Sequence, residues 1–362
     1  MDFATLERFM VDVLEHSGVP HEDAVTCGKV LIEADRRGLD THGIQRLKLI
    51  YYDRIKAGIL NPVTNFEVVK ETPTTAVVDG HNGMGMVIAT RCMQMAIDKA
   101  KKFGLGMVVA RNSTHYGIAG YYSLMAARQG LIGLNGTNAR PSITPTFGVE
   151  PMIGTNPLVF AFPSDEPFPF CLDCATSVVQ RGKIEMYNRE GKAVPEGWVI
   201  NNEGETVTDT PQILKDLVAG KAACLPLGGA GEDRAGYKGY GYGVIVEILS
   251  SCLQAGNFMK ALTGMKDGKK VPIELGHFFL AVNVECFRDL EEFKKQVGDI
   301  CRELRTAKKA KGHDRIYTAG EKEYETEKYR EVHGVPIPQG LRPEMVELRD
   351  TLKLDYTFPW EK

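Results

Sequence analysis

Gly106-Met107-Val108-Val109-Ala110-Arg111-Asn112-Ser113-Thr114-His115-Tyr116-Gly117 is an apolar run that leads into a polar turn carrying a histidine. Met107 to Ala110 read as a buried strand, and Asn112, Ser113 and Gly117 as turn residues. Helical patterns flank the stretch, Val87 to Phe103 before it and Ala119 to Arg128 after it. Helix, strand, turn and helix in that order make the middle of the chain α/β. The turn holds an imidazole at a strand end, where catalytic groups are often placed, and an imidazole there can accept or donate a proton near pH 7. A second histidine lies in Asp40-Thr41-His42-Gly43-Ile44-Gln45-Arg46, with an arginine four residues on. On a helix that spacing puts His42 and Arg46 on one face, one turn apart.

Outward from this centre, β-rich runs recur at Phe66 to Val69, Thr75 to Val78, Leu131 to Leu134, Leu158 to Phe162, Phe168 to Leu172 and His277 to Val284. Gly and Pro turns separate them. The pattern predicts an α/β (α+β) fold with mixed strand directions. Both ends read as helical. Phe3, Leu6, Phe9, Met10, Val13 and Leu14 trace one helical face, and Ala24, Cys27, Val30, Leu31 and Ala34 a second. A third predicted helix starts at Asp40 or Thr41, carries His42, Arg46 and Tyr51, and ends near Gly58. Leu290, Phe293, Val297, Ile300, Cys301 and Leu304 fit another face. The expected organisation is a discontinuous helical domain from residues 1–68 and 289–362 around a mixed α/β domain at 69–288.

The 362 residues give ample chain for a core, and a net charge of −3 offers no attraction to nucleic acid or an anionic membrane surface. No apolar run approaches the roughly 18 residues needed to span a bilayer. The acidic, helix-like start is unlike a signal peptide, so the cytoplasm is the expected compartment. Eight cysteines are spread thinly, and Cys171-Leu172-Asp173-Cys174 is the one C-x-x-C pair. It lacks a second pair or histidines at ligand spacing, so no metal is expected; alternate burial along a strand explains it better.

A Rossmann fingerprint is absent: Gly80-His81-Asn82-Gly83-Met84-Gly85 has its glycines at other spacings. Gly236-Tyr237-Lys238-Gly239-Tyr240-Gly241-Tyr242-Gly243 opens directly into the helical run Val244 to Leu253. A glycine loop at a helix start suits an anion, and Lys238 adds a charge. The alternative is a glycine-rich turn that packs helices closely. Gly154-Thr155-Asn156-Pro157 and Asp173-Cys174-Ala175-Thr176-Ser177, with Arg181-Gly182-Lys183 beyond, offer hydroxyls, an Asp and cations for ribose and pyrophosphate. The residues alone describe an anion-binding α/β enzyme with histidine acid–base chemistry.

Taken in order, these motifs resemble the type-2 malate/L-lactate dehydrogenase family, which also includes sulfolactate and ureidoglycolate dehydrogenases and cyclic imino-acid reductases. The resemblance covers nearly the whole chain. It also runs through Thr137-Asn138-Ala139-Arg140-Pro141, Leu225-Pro226-Leu227-Gly228-Gly229 and Ala319-Gly320-Glu321-Lys322-Glu323. It implies a nicotinamide cofactor, NAD ahead of NADP, on a non-Rossmann fold. It also implies a homodimer whose active sites are completed near the subunit boundary. The family's proton-transferring histidine falls on His115, and its Ser-His-Gly substrate motif on Thr41, His42 and Gly43. Its substrate arginine falls on Arg46, and Lys238 is assigned to the substrate as well. A family tyrosine stands four residues after that arginine, where this chain has Ile50; one inserted residue would bring Tyr51 to the role. Cofactor contacts are implied for Thr155, Asp173, Cys174, Ala175, Arg181, Leu227, Gly228, Gly320 and Glu321.

The implied reaction is hydride transfer between the cofactor and a small 2-hydroxy acid, malate/oxaloacetate or L-lactate/pyruvate. Arg46 would grip the carboxylate with two parallel hydrogen bonds, His115 would move the proton, and His42, oriented by Thr41, would bond the substrate or stand in as the acid. A cyclic imino-acid reductase or a sulfolactate or ureidoglycolate dehydrogenase would use the same groups. A hydrolase lacks a Gly-x-Ser-x-Gly elbow or any comparable setting for a nucleophile. A non-enzymatic ligand-binding protein would not need two histidines, an arginine and a Lys-bearing glycine loop.

Overall fold

The apolar stripe that begins at Phe3 forms helix α1 (Phe3–Glu15), started by Asp2, whose side chain accepts the Thr5 N–H at 2.8 Å. Helix α2 (His21–Arg36) packs beside it, and Leu6, Phe9, Leu14, Val30 and Leu31 are fully buried between them and their neighbours. The computed structural model describes residues 1–361. Beyond Gly38 the expected third helix is broken. His42 sits in a bend, Ile44–Arg46 is a tight 3₁₀ turn, Leu47–Tyr52 is a wide π-type turn, and only α3 (Asp53–Lys56) is α-helical. His42 and Arg46 therefore do not share one helical face. The cause is local: the buried Asp35 carboxylate accepts the Ile44 N–H at 2.9 Å and so starts the turn two residues after His42. A wide turn takes up one extra residue. It brings Tyr51, rather than Ile50, round to the interior, where it is fully buried.

The next strands are β1 (Glu67–Glu71), β2 (Thr75–Asp79), β3 (Leu105–Ser113), β4 (Leu131–Thr137), β5 (Leu158–Phe162), β6 (Phe170–Cys174), β7 (Val199–Asn201), β8 (Ala222–Cys224), β9 (Met265–Lys266), β10 (Lys269–Lys270) and β11 (Leu275–Asn283). Seven of them form one sheet in the order β1-β2-β3-β11-β4-β5-β6. Only β2 and β3 run parallel, joined by α4 (Gly85–Phe103); the other pairs are antiparallel. The long β11, inserted from far down the chain, pairs His277 with both Ala110 and Thr137. Helix α4 and α5 (Gly120–Ala127) bury one sheet face over Val78, Val108, Val159 and Phe279. On β6 the C-x-x-C cysteines fall three residues apart, which in a strand sets them on opposite faces.

A smaller unit is inserted after β5 and β6. Helices α6 (Arg181–Arg189) and α7 (Thr210–Ala219) pack with β7 and β8 around Ile143, Ile184, Val199, Ile213 and Cys224. It is a distinct core within the span 69–288. Helix α8 (Gly236–Leu249) then covers the other sheet face through Val246, against Val109 and Phe278. The glycine run expected to be a loop is the first two turns of this helix. A Cβ on Gly236 or Gly239 would collide with the carbonyls of Gly229 and Leu227, so these glycines permit close packing, and the left-handed conformations fall instead on Gly228, Gly229 and Ala235.

Helix α9 (Leu290–Thr306) stays with the sheet, its Arg302 paired to Asp165 at 2.9 Å. Its Arg305 also lies 3.4 Å from Glu321 in the C-terminal part, so this helix bridges the sheet and the terminal helices. Helix α10 (Glu321–His333) and α11 (Arg342–Leu352) do return to the N-terminal part. Arg330 holds Asp40 at 2.6 and 2.9 Å, the Met1 ammonium donates to the Val335 carbonyl at 2.8 Å, and the Tyr356 and Phe358 rings meet Phe9 edge-on.

Candidate active site

The turn after β3 is clamped from below. Asp79, at the end of β2, accepts from Arg111 at 2.8 Å and from Asn112 at 2.9 and 3.0 Å, which fixes Asn112 at φ 50°. Thr114 donates to the Gly83 carbonyl at 2.7 Å and accepts the Gly85 N–H at 2.9 Å. The Gly80–Gly85 segment thus packs directly under the histidine turn and is no phosphate loop. Above it opens a cavity of about 170 Å³. Its walls are Thr41 and His42 from the broken helix, His115 to Ala119 from the turn, Thr137 to Ala139 beyond β4, and Thr155, Asp173, Ala175 and Gln180.

His115 Nδ1 lies 2.7 Å from the Tyr51 hydroxyl and receives the Gly117 N–H at 3.3 Å. With Tyr51 donating, the neutral ring carries its proton on Nε2; with the hydroxyl turned to accept, Nδ1 carries it and Nε2 is bare, and Nε2 has no partner among the described residues. Tyr51 can reverse its hydroxyl and accept when Nδ1 is protonated. His42 repeats the arrangement: Thr41 Oγ1 lies 2.8 Å from its Nδ1, and Gln180 donates to the same hydroxyl at 3.4 Å. The two rings face each other, centroids 5.9 Å apart and 18° from parallel. Burial, then Arg46, drives His42 down to about 4. Burial, then His42, Arg46 and Arg54, holds His115 well below the ordinary imidazole value. Both are neutral at pH 7, the state in which an imidazole can accept a proton.

Beneath the cavity lies a buried histidine that the sequence pattern concealed. His277 bonds Thr137 Oγ1 through Nδ1 and Ser113 Oγ through Nε2, each at 2.7 Å, and Tyr116 stacks on it at 4.6 Å. Tyr116 in turn stacks on Tyr122 at 4.9 Å. This column supports the floor that carries His115. Asn138, beside it on the cavity wall, accepts the Gly276 N–H at 2.8 Å.

A model of the family described as malate/L-lactate dehydrogenase matches residues 1–346. The chain belongs to that family. The malate dehydrogenase of Pyrococcus horikoshii is 44% identical over 343 residues, 95% of this chain and 92% of that protein. An L-sulfolactate dehydrogenase of Methanocaldococcus jannaschii is 36% identical over 357 residues, 96% of each chain. Among solved structures, malate dehydrogenase from Entamoeba histolytica superposes with a TM-score of 0.96 at 51% identity, covering 99% of both chains. Malate/L-lactate dehydrogenase membership makes the protein an oxidoreductase acting on small 2-hydroxy acids and implies a nicotinamide cofactor on this non-Rossmann sheet.

In this dehydrogenase the other expected site residues divide by position. Thr155, Asp173 and Ala175 line the cavity, and Cys174, between the last two, places its sulfur 3.9 Å from the Leu158 carbonyl. Asp173 accepts the Gly120 N–H at 2.7 Å; surrounding protein pushes its carboxyl up to about 6, although the residue stays open to solvent at the cavity mouth. Leu227 continues this edge, donating its N–H to the Thr176 carbonyl at 2.9 Å, with Gly228 next to it. Arg46 does not line the cavity. Its Nε donates to the Thr41 carbonyl at 2.5 Å and its guanidinium lies 3.7 Å from Glu185. Arg181 pairs with the same Glu185 at 2.9 Å. Lys238 is exposed on the first turn of α8, away from the cavity. Gly320 packs on the Pro169 carbonyl, and the buried Glu321 accepts from Thr318 and pairs with Arg305 and Arg315, so both belong to the junction of α9, α10 and β6. No metal-sized group of His, Cys, Asp or Glu occurs among the described residues. No helix among them is long and apolar enough to cross a membrane.

Proposed function

We propose that the enzyme interconverts malate and oxaloacetate with a nicotinamide dinucleotide, with His115 as acid and base. The supporting observation is the free Nε2 of His115 on the cavity, with Nδ1 held by Tyr51 and a second neutral imidazole opposite. In the oxidising direction the ring carries its proton on Nδ1, donated to the Tyr51 oxygen, so the bare Nε2 takes the proton of the 2-hydroxyl while the carbon-bound hydrogen leaves as hydride; in reduction the imidazolium returns the Nε2 proton to the carbonyl oxygen. The bound nicotinamide supplies the hydride acceptor or donor. His42, held by Thr41, donates Nε2–H to a substrate oxygen. Arg46 grips the carboxylate, which replaces its distant partner Glu185. An incoming anion also offsets the cations that depress His115 and eases the proton uptake that reduction needs.

A cavity of about 170 Å³ is below the ~300 Å³ of ordinary ligand pockets. It suits a small acid and one ring, not a whole dinucleotide. The Thr155, Asp173–Ala175 and Leu227–Gly228 edge fits the remainder, with Arg181 as an outlying cation. NAD is assigned ahead of NADP, because the charged group on that wall is the Asp173 carboxylate, which suits free ribose hydroxyls better than a phosphate. A homodimer is part of the reading: Tyr237, Ile245, Ile248 and Leu253 leave an exposed apolar stripe along α8 and just beyond it. The eight unpaired thiols support a reducing compartment such as the cytoplasm. The test is a screen of NADH and NADPH oxidation over oxaloacetate, pyruvate, sulfopyruvate and cyclic imines. Oxaloacetate with NADH is expected to lead; turnover of a cyclic imine alone would replace the reading.

A further inference from the structure

Two arginines beside the cavity have no partner. Arg54, on α3, is half-buried three residues after Tyr51, and Arg140 follows Asn138 and Ala139 of the cavity wall. Among the described residues neither makes an ion pair or a hydrogen bond, whereas Arg46 and Arg181 share one carboxylate, Glu185. Four guanidiniums thus stand against one carboxylate in a chain whose net charge is −3. The crowding is felt: burial first, then Arg140 and Arg46, weakens the hold of Arg54 on its proton, and Arg181 acts likewise on Arg140. A half-buried cation without a counter-charge is costly to keep. Such like-charge groups mark places where a ligand supplies the missing charge.

We propose that Arg54 and Arg140 form a second anion subsite that takes the distal carboxylate or sulfonate of a dianionic 2-oxo acid. The inference rests on the dehydrogenase reading above and adds its substrate class. With the 2-oxo carboxylate at Arg46 and the reacting oxygen at His115, Arg54 stands near enough to His115 to depress it, and Arg140 stands near enough to Arg54 for the two charges to be felt together. Guanidiniums grip a planar carboxylate or a sulfonate with paired hydrogen bonds. A monoanion such as pyruvate leaves both cations unsatisfied, so the enzyme selects four-carbon diacids and their sulfo analogues over lactate-type substrates.

The test compares oxaloacetate with 2-oxobutyrate, which has the same carbon skeleton without the distal charge. In R54L and in R140L, kcat/KM for oxaloacetate is expected to fall about 10- to 100-fold, the size of one lost charge-assisted hydrogen bond, while 2-oxobutyrate changes less than about threefold. R54K should recover part of the loss. Equal losses on both substrates, or none on either, overturn the subsite. Arg140 is exposed, so R140L keeps the test valid if R54L folds poorly. Calorimetric binding of succinate against butyrate needs no turnover. The wild type is expected to prefer succinate by at least about tenfold and each variant to lose that preference. A wild type that binds the two alike overturns the subsite whatever its activity. A retained succinate preference in a protein that reduces no 2-oxo acid would instead overturn the dehydrogenase reading and leave the subsite standing.

Discussion

The two histidines face each other across the cavity from regions built on opposite principles. His115 stands two residues past a nine-residue strand, and its turn is clamped to β2 and to the Gly80–Gly85 segment through Asp79 and Thr114. His42 stands on a bend held by two side chains, Asp35 on the Ile44 N–H nine residues away and Arg330 on Asp40 from far along the chain. A hydrogen-bond ladder fixes position many times over, while an irregular segment depends on each contact separately. In the mechanism proposed above, the sheet side carries the chemistry and the helical side adjusts the substrate. Among the described residues, Tyr51 is the one side chain whose hydrogen bond joins the two histidine-bearing regions directly.

The largest expected effect breaks the comparison if it fails. His115→Ala should lower kcat by roughly 10²-fold or more, with dinucleotide affinity almost unchanged, while His42→Ala should act mainly on KM. Steady-state kinetics of both variants decide it, and the reverse pattern would move the chemistry to the helical side. Next comes the irregular region itself. Asp35→Ala strands the Ile44 N–H and should cost about 1–3 kcal/mol of unfolding free energy, with a raised KM. Asp35→Asn should be nearly neutral, because it keeps an acceptor for that N–H. Chemical denaturation of the two variants separates these outcomes; a stable Ala variant would mean that the turn holds itself.

Much of the sheet side was legible in the sequence because its signals are local. Apolar runs, bounded by Gly and polar turns, placed β3, β5 and the His115 turn close to where they lie. The helical side was harder to read, since the break at Gly43–Ile44 is caused by Asp35, nine residues earlier, and the one-residue phase shift at Tyr51 appears only as an oddity of spacing. His277 was invisible for a further reason. It sits in an apolar strand, and its partners Thr137 and Ser113 are 140 and 164 residues away. The glycines of α8 misled because a loop and a close helix contact use the same composition, and only the Leu227 and Gly229 carbonyls distinguish them. Arg54 and Arg140 look like ordinary surface charge until the absence of partners is known.

Acid and alkali should stress the two regions differently. His42 and His277 are held at about 4 and about 3, and His115 is also lowered, each by burial first. Unfolded histidines take up protons near 6.5 that the folded chain refuses, so this stability is complete above 6.5 and declines as pH falls toward 4. Asp35 is pushed up to about 8, by burial first, so its contribution has the opposite sign: complete below about 3.8, it is lost as pH rises through 8. The thermal midpoint should drop between pH 6.5 and 4.5, each fully shifted histidine contributing about 1.4 kcal/mol per pH unit. It should also sag toward pH 8 in the wild type but not in Asp35→Asn. A flat profile in both proteins would remove the electrostatic part of the contrast.

The smallest expected effect sharpens the picture by its absence. Lys238 is exposed and unpaired on α8, so Lys238→Met should change the NADH dissociation constant by less than about twofold. A clear, salt-sensitive loss would instead bring the start of α8 into the cofactor site.

The meeting of the two chain ends has a consequence for how the protein is made. Phe9 is covered by Tyr356 and Phe358, and Val335 donates its N–H to the Met1 carbonyl at 2.7 Å. At ribosomal rates of 5–20 residues per second, α1 waits roughly 15–70 s before those partners are synthesised. Throughout that interval Phe9 lacks its aromatic cover, and the turn carrying His42 lacks the Arg330 clamp. The aromatic cover of the first helix and the clamp on the His42 turn therefore arrive within about thirty residues of each other, long after the segments they secure.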